Sequence, residues 1–316
     1  MRIFASLLLA FSGAAFAQGF PSKPITTVVG FAPGGATDTV ARIIGKTLGE
    51  NMGQTVLTDN KAGAGGTIAV DFVAKAAPDG YTLVLANVGA IAANPHIMKL
   101  PYDPLKDLTP IGMATVFANV IIVRPDLGVK TLADYVKLAR EKPGRITYAS
   151  SGVGGAAHLA GELLEMMAKI YLVHVPYRGG GPALQGFLGE QVDSFIATPV
   201  TSVPHVQAGK AIALATTGAK RAALMPDVPT VAESGYKGYE ATNWYAYYGP
   251  KGMDPALVAR LNREINKALA DKSTVALLEK QGVEPQASTP EELARYGAAE
   301  FKTWGRVVKE AGIKAQ

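Results

Sequence analysis

The 316-residue sequence contains no cysteine. It can therefore form no disulfide and no metal site built on thiolate ligands. It also lacks a long block of basic residues, so its net charge of +5 does not indicate a nucleic-acid groove. Beyond its first residues it has no uninterrupted apolar run of about 18 residues, so we expect no later membrane span.

Motifs typical of catalysis are also missing. No segment matches the P-loop pattern, and "YASSGVGG" lacks the glycine that a nucleophile elbow needs two positions before its serine. No paired carboxylates stand out as an acid/base pair. The histidines do not have metal-ligand spacing; they are His96, His158, His174 and His205. We therefore expect no catalytic residue, no metal and no cofactor.

The first residues resemble an export signal. Arg2 precedes an apolar stretch from Ile3 to Phe11, which is too short to span a bilayer, and small residues end in Ala15-Phe16-Ala17. We predict a signal peptide over residues 1–17, cleaved near Ala17/Gln18. The mature protein is then expected in the periplasm.

Two similar series of elements follow. After a strand at Ile25 to Val29, glycine turns alternate with helices and strands up to "YTLVLAN", and the same order restarts at Arg145. Short strands that alternate with helices predict parallel α/β sheets. The repeat is architectural, because the two series show no convincing residue-by-residue identity.

The two series predict two lobes. The extended stretches "ATVFANVIIVRP" and "YEATNWYAYYGP" can carry the chain between them, and three amphipathic helices are predicted at 255–270, 273–281 and 290–311. The predicted fold class is α/β, with two lobes, a central cleft and two crossings. Lobe 1 is expected to comprise residues 18–121 and 243–316, and lobe 2 residues 122–242.

Glycine turns that open helices are suited to bind anions. Helix N-termini expose unpaired N–H groups and a partial positive charge, and glycine lets an anion approach them. "GVGGAA" at Gly152 to Ala157 also fits a dinucleotide-binding pattern. That pattern needs an acidic residue at the end of the next strand, where this chain has Pro176-Tyr177. A dinucleotide-dependent enzyme is therefore only an alternative.

Several longer motifs, in order along the chain, resemble one family. They are "PSKPITTVVGFAPGGATDTVARIIG", "DNKAGAGGTIAVDFVAKAAPDGYTLVLAN", "YASSGVGGAAHLAGELL", "VPYRGGGPAL" and "MPDVPTVAESGY". These segments are similar to the Bug family, the periplasmic receptors of tripartite tricarboxylate transporters. The resemblance implies a two-lobe receptor with a fold similar to that of type II periplasmic binding proteins. It also implies that the loops Phe31 to Asp38 and Ser150 to His158 bind a carboxylate through backbone amides and ordered waters.

The candidate ligand-binding residues lie in or near these loops and at strand ends. They are Phe31, Gly34, Gly35, Ala36, Thr37, Asp38, Asn87, Ser150, Ser151, Gly154, Gly155, Ala156, His158, Arg178 and Thr198. Gly155 and Ala156 are expected to match Gly34 and Gly35 in role. Alternatives stay open for several: Thr37 can cap the helix, Asp38 can order its loop, and His158 can pack beside its loop. Arg178 can lie at the rim.

The expected ligand is a small organic carboxylate: a dicarboxylate or tricarboxylate, an acidic amino acid or an aromatic acid. The expected partners are the membrane subunits of a transporter, in transient contact with a monomeric receptor that binds no nucleic acid. A carboxylate sensor that contacts a signalling kinase is the alternative, because the binding half would be the same.

Overall fold

A computed structural model describes residues 19–313, so the predicted signal peptide lies outside the described residues. The described strands are β1 (Ile25–Val29), β2 (Val56–Asn60), β3 (Thr82–Asn87), β4 (Leu108–Ala118), β5 (Val120–Val123), β6 (Thr147–Ser150), β7 (Val173–Pro176), β8 (Ser194–Ala197), β9 (Ile212–Thr216), β10 (Thr242–Pro250) and β11 (Glu284–Pro285). The described α-helices are α1 (Ala36–Met52), α2 (Thr67–Ala74), α3 (Asn94–Ile97), α4 (Leu132–Glu141), α5 (Ala156–Ala168), α6 (Gly180–Leu188), α7 (Pro199–Gln207), α8 (Pro255–Ala270), α9 (Lys272–Lys280) and α10 (Pro290–Ala311).

The strands form two sheets, each the centre of one lobe. Lobe 1 contains the order β11-β4-β10-β3-β1-β2, and lobe 2 contains β7-β6-β8-β5-β9. The predicted fold class, two α/β lobes with two crossings, is confirmed. The predicted residue boundaries of the lobes stay a prediction.

The sheets are mixed, which corrects the expectation of parallel sheets. β1 pairs with β2 and β3 in parallel, as β6 does with β7 and β8. β10 instead runs antiparallel to β3 and β4, and β5 runs antiparallel to β8 and β9. The reversed strands are those that carry the chain between lobes, because they enter each sheet from the other lobe and not through a helix that returns to the same edge.

The crossings lie side by side and are joined by Thr217. The first passes from β4 to β5 through Asn119, and the second leads from β9 into β10. Asn119 N–H donates to Thr217 Oγ1 at 2.9 Å, and the Thr217 hydroxyl donates to the Ala241 carbonyl, also at 2.9 Å. One buried threonine thus ties both crossings together.

The C-terminal helices follow their capping residues: α8 and α10 have the predicted bounds, and α9 begins and ends one residue earlier than predicted. Asp254 accepts from the N–H groups of Ala256 and Leu257 before α8, and Asp271 caps α9 in the same way. Thr289 and Glu292 form a reciprocal capping box at α10. α8 and α10 pack on β4, so the end of the chain returns to lobe 1.

Candidate functional site

The two predicted glycine loops are structural equivalents. Gly34 and Gly154 have φ angles of +82° and +68°, the left-handed region that glycine adopts without strain. Gly35 and Gly155 follow in extended conformation and are the N-caps of α1 and α5. This pairing corrects the predicted one by a single position: Gly155 matches Gly35, and Ala156 matches the first residue of α1.

The side chain of the third residue of α1 and of α5 accepts a hydrogen bond from the glycine loop that precedes the helix. Gly34 N–H donates to Asp38 Oδ2 at 3.1 Å, and Gly154 N–H donates to His158 Nδ1 at 3.0 Å. Both side chains were predicted to contact the ligand. Asp38 Oδ2 and His158 Nδ1 instead face their own loops, so we assign both side chains to loop geometry.

The Asp38 carboxylate is well paired in lobe 1. Arg42 Nε and Asn60 Nδ2 also donate to it, at 3.0 and 3.1 Å. Burial raises the pKa of this carboxyl, but the hydrogen bonds from Arg42, Gly34 and Asn60, with the Arg42 charge, lower the net pKa below its ordinary value. Asp38 therefore stays ionised and stabilises the fold until the pH falls through that lowered pKa.

His158 lies in a stack of rings inside lobe 2. Its side chain is 1% exposed, and its ring stacks on that of His174 with centroids 4.1 Å apart. Because a backbone N–H donates to Nδ1, the ring proton is on Nε2, which lies 3.2 Å from Glu162 Oε1. His174 Nε2 lies 2.6 Å from the Ser150 hydroxyl, so predicted site residues His158 and Ser150 both have partners within lobe 2.

Glu165, on the same helix, gives lobe 2 a pH-dependent stability. The pKa of its carboxyl is raised from 4.5 to about 7: burial is the main cause, a hydrogen bond from Leu172 N–H opposes it, and the charge of Glu162 adds to it. An acid whose folded pKa is raised stabilises the fold fully at low pH and loses that stability as the pH rises from 4.5 through about 7.

We therefore expect Glu165→Gln to stabilise the protein at pH 8 and to change little at pH 4.5. After allowance for partial exposure, the gain at pH 8 should be about 1–2 kcal/mol, measured by urea unfolding. Glu50→Gln, at an exposed position, is the matched control, with an expected change within about 0.5 kcal/mol at either pH. Equal effects of Glu165→Gln at both pH values would contradict the interpretation.

A cavity of about 20 Å³ lies between the two lobes. Eight predicted residues line it: Phe31, Gly35, Ala36, Thr37, Asn87, Ser151, Ala156 and Thr198. Seven further residues line it that sequence reasoning had not included: Asn119, Ala157, Gly180, Phe195, Ile196, Asn243 and Tyr245. The remaining predicted residues lie outside the lining: Gly34, Asp38, Ser150, Gly154, Gly155, His158 and Arg178.

Four helix N-termini point toward this cavity. Its lining includes the N-cap or first-turn residues of α1, α5, α6 and α7, namely Gly35, Ala156, Gly180 and Thr198. None of the four N-caps has a side-chain capping hydrogen bond. Pro199 in α7 and Pro182 in α6 have no N–H, and Thr201 N–H already donates to the Thr198 carbonyl. The remaining first-turn N–H groups and the positive helix ends favour an anion.

The lining itself carries no charged side chain in the described part of the chain. Its polar side chains are hydroxyls and amides, including Tyr245. Burial raises the pKa of the Tyr245 phenol above its ordinary value, and hydrogen bonds with Thr37 and Asn243 only partly offset this. The phenol stays neutral and can donate a hydrogen bond. Positive potential in the cavity thus comes from backbone dipoles.

Backbone contacts close the cleft around the cavity. Ala32 N–H in lobe 1 donates to the Arg178 carbonyl in lobe 2 at 3.0 Å. A Cβ on Gly35 would lie 3.4 Å from the Gly180 nitrogen across the cleft. The exposed Arg178 side chain lines a separate groove of about 360 Å³, so Arg178 contributes its carbonyl to closure, and its predicted clamp on the ligand has no support in this geometry.

A larger groove of about 810 Å³ lies behind the crossings, between α7 and the α9–β11 segment. None of the predicted site residues lines it. The small cavity, with its four helix ends, is therefore the candidate site. Within residues 19–313 no cluster of metal-ligating side chains is found, and no helix is long and apolar enough to cross a membrane.

Comparison with known proteins gives consistent matches. Residues 40–313 match the family model described as "Tripartite tricarboxylate transporter family receptor". Protein BugT of Bordetella pertussis is 37% identical over 300 residues, which cover 94% of this chain and 92% of BugT.

Two solved structures from Rhodopseudomonas palustris are also similar. One, solved with adipate, is 35% identical with a TM-score of 0.90, over 93% of this chain and 99% of the other. MatC, solved with bound malate, is 34% identical with a TM-score of 0.87, over 92% of this chain and all of MatC.

Proposed function

The chain belongs to the tripartite tricarboxylate transporter receptor family, and from this premise we propose that it captures a small organic carboxylate between its lobes. The predicted resemblance to Bug proteins is thereby confirmed. Because the members of this family are receptors, the dinucleotide-dependent enzyme is set aside.

The observation that carries the proposal is the meeting of four uncapped helix N-termini at one uncharged cavity. Each helix end stabilises an anion by about 0.3–1 kcal/mol, and by up to about 2 kcal/mol where it is partly buried. Four ends together favour a carboxylate over a neutral solute without any arginine or lysine. We propose that the eight predicted residues in the lining contact the ligand, together with Gly180.

The ligands of the relatives support this class of solute. One R. palustris structure was solved with adipate and MatC with malate, and both are small dicarboxylates. For this chain we infer the same broad class, a small organic acid with one or two carboxylates.

Binding must include movement of the lobes. Pockets for small molecules usually measure about 300–1,000 Å³, whereas the cavity measures about 20 Å³ and is closed by contacts between backbones. A ligand therefore enters while the lobes are apart. Closure then removes the carboxylate from water and strengthens each hydrogen bond to it.

We further propose that this receptor works in the periplasm and delivers its solute to the membrane subunits of a transporter. The proposed signal peptide of residues 1–17 would export it, and the closed form would be the one that the transporter recognises. The proposed hinged units are residues 18–121 with 243–316, and residues 122–242. We propose that it acts as a monomer.

A thermal-shift panel of acids tests the proposed function. Citrate, succinate, glutarate, adipate, malate, glutamate and benzoate are compared at fixed pH and ionic strength. At a hundredfold excess over Kd, a ligand that binds only the folded state adds about 2.7 kcal/mol, which should raise Tm by several degrees. We expect at least one acid to do so.

The neutral amide of the acid that binds is the matched control. It keeps the shape and loses the negative charge, so it should give little or no shift. The proposal fails if no acid in the panel raises Tm, or if acid and amide raise it equally.

A further inference from the structure

Each crossing places one asparagine in the wall of the cavity. Asn119 lies between β4 and β5, and Asn243 is the second residue of β10. Their side chains are 0% and 5% exposed. Because Asn243 pairs with Phe117 in the β4–β10 ladder, both asparagines lie close together on the adjacent crossings.

Their amide groups retain hydrogen-bonding capacity that the rest of the protein does not use. Asn119 Oδ1, Asn119 Nδ2 and Asn243 Oδ1 have no hydrogen-bond partner within residues 19–313. Buried polar atoms of native proteins are nearly always paired, and an unpaired one costs about 1–3 kcal/mol. Such atoms in the lining of a binding cavity point to a ligand group that pairs with them.

The Asn119 side chain is not needed to hold the crossings together. The backbone of Asn119 pairs with Thr217 through both its N–H and its carbonyl, and Ala241 N–H donates to the Thr217 carbonyl at 2.8 Å. These bonds would form with any side chain at position 119. The Asn119 amide is therefore available for the ligand, and Asn243, whose side chain also hydrogen-bonds with the Tyr245 hydroxyl, keeps its unpaired Oδ1 for the ligand.

We propose that the ligand carries a hydroxyl group beside its carboxylate, and that Asn119 and Asn243 bind this hydroxyl. This inference rests on the proposed function. The unpartnered atoms are two acceptors and one donor. A carboxylate has only acceptors and would leave both amide oxygens unpaired, whereas a hydroxyl donates to one oxygen and accepts from Asn119 Nδ2.

The electrostatics of the cavity favour a hydroxyl over an ammonium group as the ligand group that binds the asparagines. An ammonium could also donate to the amide oxygens, but no carboxylate side chain lines the cavity within the described residues. The positive ends of four helices would repel it. The inferred ligand class is thus a hydroxy-carboxylate rather than an amino acid.

Matched acids that differ in one substituent test the inference on the unmodified protein. The pairs are malate and succinate, lactate and propionate, with aspartate as the ammonium counterpart of malate. In at least one pair we expect the hydroxy acid to bind about tenfold tighter or more, measured by calorimetry, and aspartate to bind more weakly than malate.

Asn119→Leu and Asn243→Leu identify the groups responsible, because leucine has nearly the shape of asparagine without its polar atoms. Each should reduce the preference for the hydroxy acid to about threefold or less while the unsubstituted acid still binds. Asn51→Leu is the control. Asn51 lies in α1 outside the cavity lining, and its Nδ2 is also buried without a partner among the described residues, so the preference should be unchanged.

The outcomes separate this inference from the proposed function. If acids bind but each pair binds equally, or if aspartate binds tighter than malate, the hydroxy-carboxylate assignment is overturned and the carboxylate receptor stands. If the preference for the hydroxy acid persists in both leucine variants, the asparagines do not bind the hydroxyl, and the inference is overturned. If no acid binds, both proposals fall.

Discussion

Gly89→Ala is expected to weaken ligand binding by about 10- to 100-fold while the protein stays folded. Gly89 follows β3 in lobe 1, and a Cβ there would overlap the Gly154 carbonyl oxygen of lobe 2. Its φ angle is not in the left-handed region, so alanine itself is tolerated by the backbone. The methyl group would hold the lobes apart and reduce the population of the closed form, which lowers the apparent affinity in proportion.

Calorimetric titration of an acid identified in the panel measures this effect. Gly45→Ala in α1 is the matched control, because its Cβ would meet Val56 of its own lobe, whose side chain lies 3.3 Å away. The control should bind as the unmodified protein does. Without ligand, Gly89→Ala should change the free energy of unfolding by no more than about 1 kcal/mol. Unchanged affinity in Gly89→Ala would show that binding does not need this closed arrangement.

Leucine at both Gly35 and Gly155 is expected to weaken binding by up to about 1,000-fold. The two residues are the N-caps of α1 and α5, and their φ angles permit a side chain. A Cβ on Gly35 would point at Gly180, whereas one on Gly155 would lie 3.2 Å from the Gly152 carbonyl oxygen and 3.4 Å from Ser151 Oγ. Leucine at position 35 would therefore fill the cavity of about 20 Å³, and leucine at position 155, outside the lining, would displace the loop before α5, so that the anion is separated from two helix ends. Two partly buried helix ends contribute up to about 4 kcal/mol, which corresponds to this loss.

The same titration, with circular dichroism to confirm folding, checks the result. Gly35→Ala is a graded control, since its Cβ would make an ordinary 3.4 Å contact with the Gly180 nitrogen. Alanine at this position should therefore cost far less affinity than leucine. A double leucine variant that still binds the acid with its original Kd would refute the helix-end site.

Much of the local structure follows from sequence alone. The predicted helices at 255–270 and 290–311 begin and end as predicted, because Asp254 and Thr289 satisfy the first N–H groups whatever the rest of the fold does. The turn at Gly34-Gly35 was predictable for a similar reason: a left-handed residue before a helix requires glycine at that point.

The direction in which polar side chains face was not predictable. Asp38 and His158 occur in the loops that reach the cavity, yet each turns back to bind a glycine N–H of its own loop. A sequence cannot distinguish a carboxylate or imidazole that binds the loop from one that faces the cleft, because both need the same residue at the same place. The orientation of each side chain is set by neighbours in the folded protein: Arg42 hydrogen-bonds with Asp38, and the His174 ring stacks on His158.

The sequence by itself determined two α/β units, their glycine turns and the helices that those turns open, since each depends on residues a few positions apart. The tertiary structure decided which residues enclose the cavity. The cavity lining includes Asn119 and, more than a hundred residues later in an extended strand without a motif, Asn243 and Tyr245. These residues come together only because β4 pairs with β10 and one lobe closes on the other. Backbone dipoles could be inferred from helix starts, but the point at which four of them meet depends on packing between lobes, which no local pattern encodes.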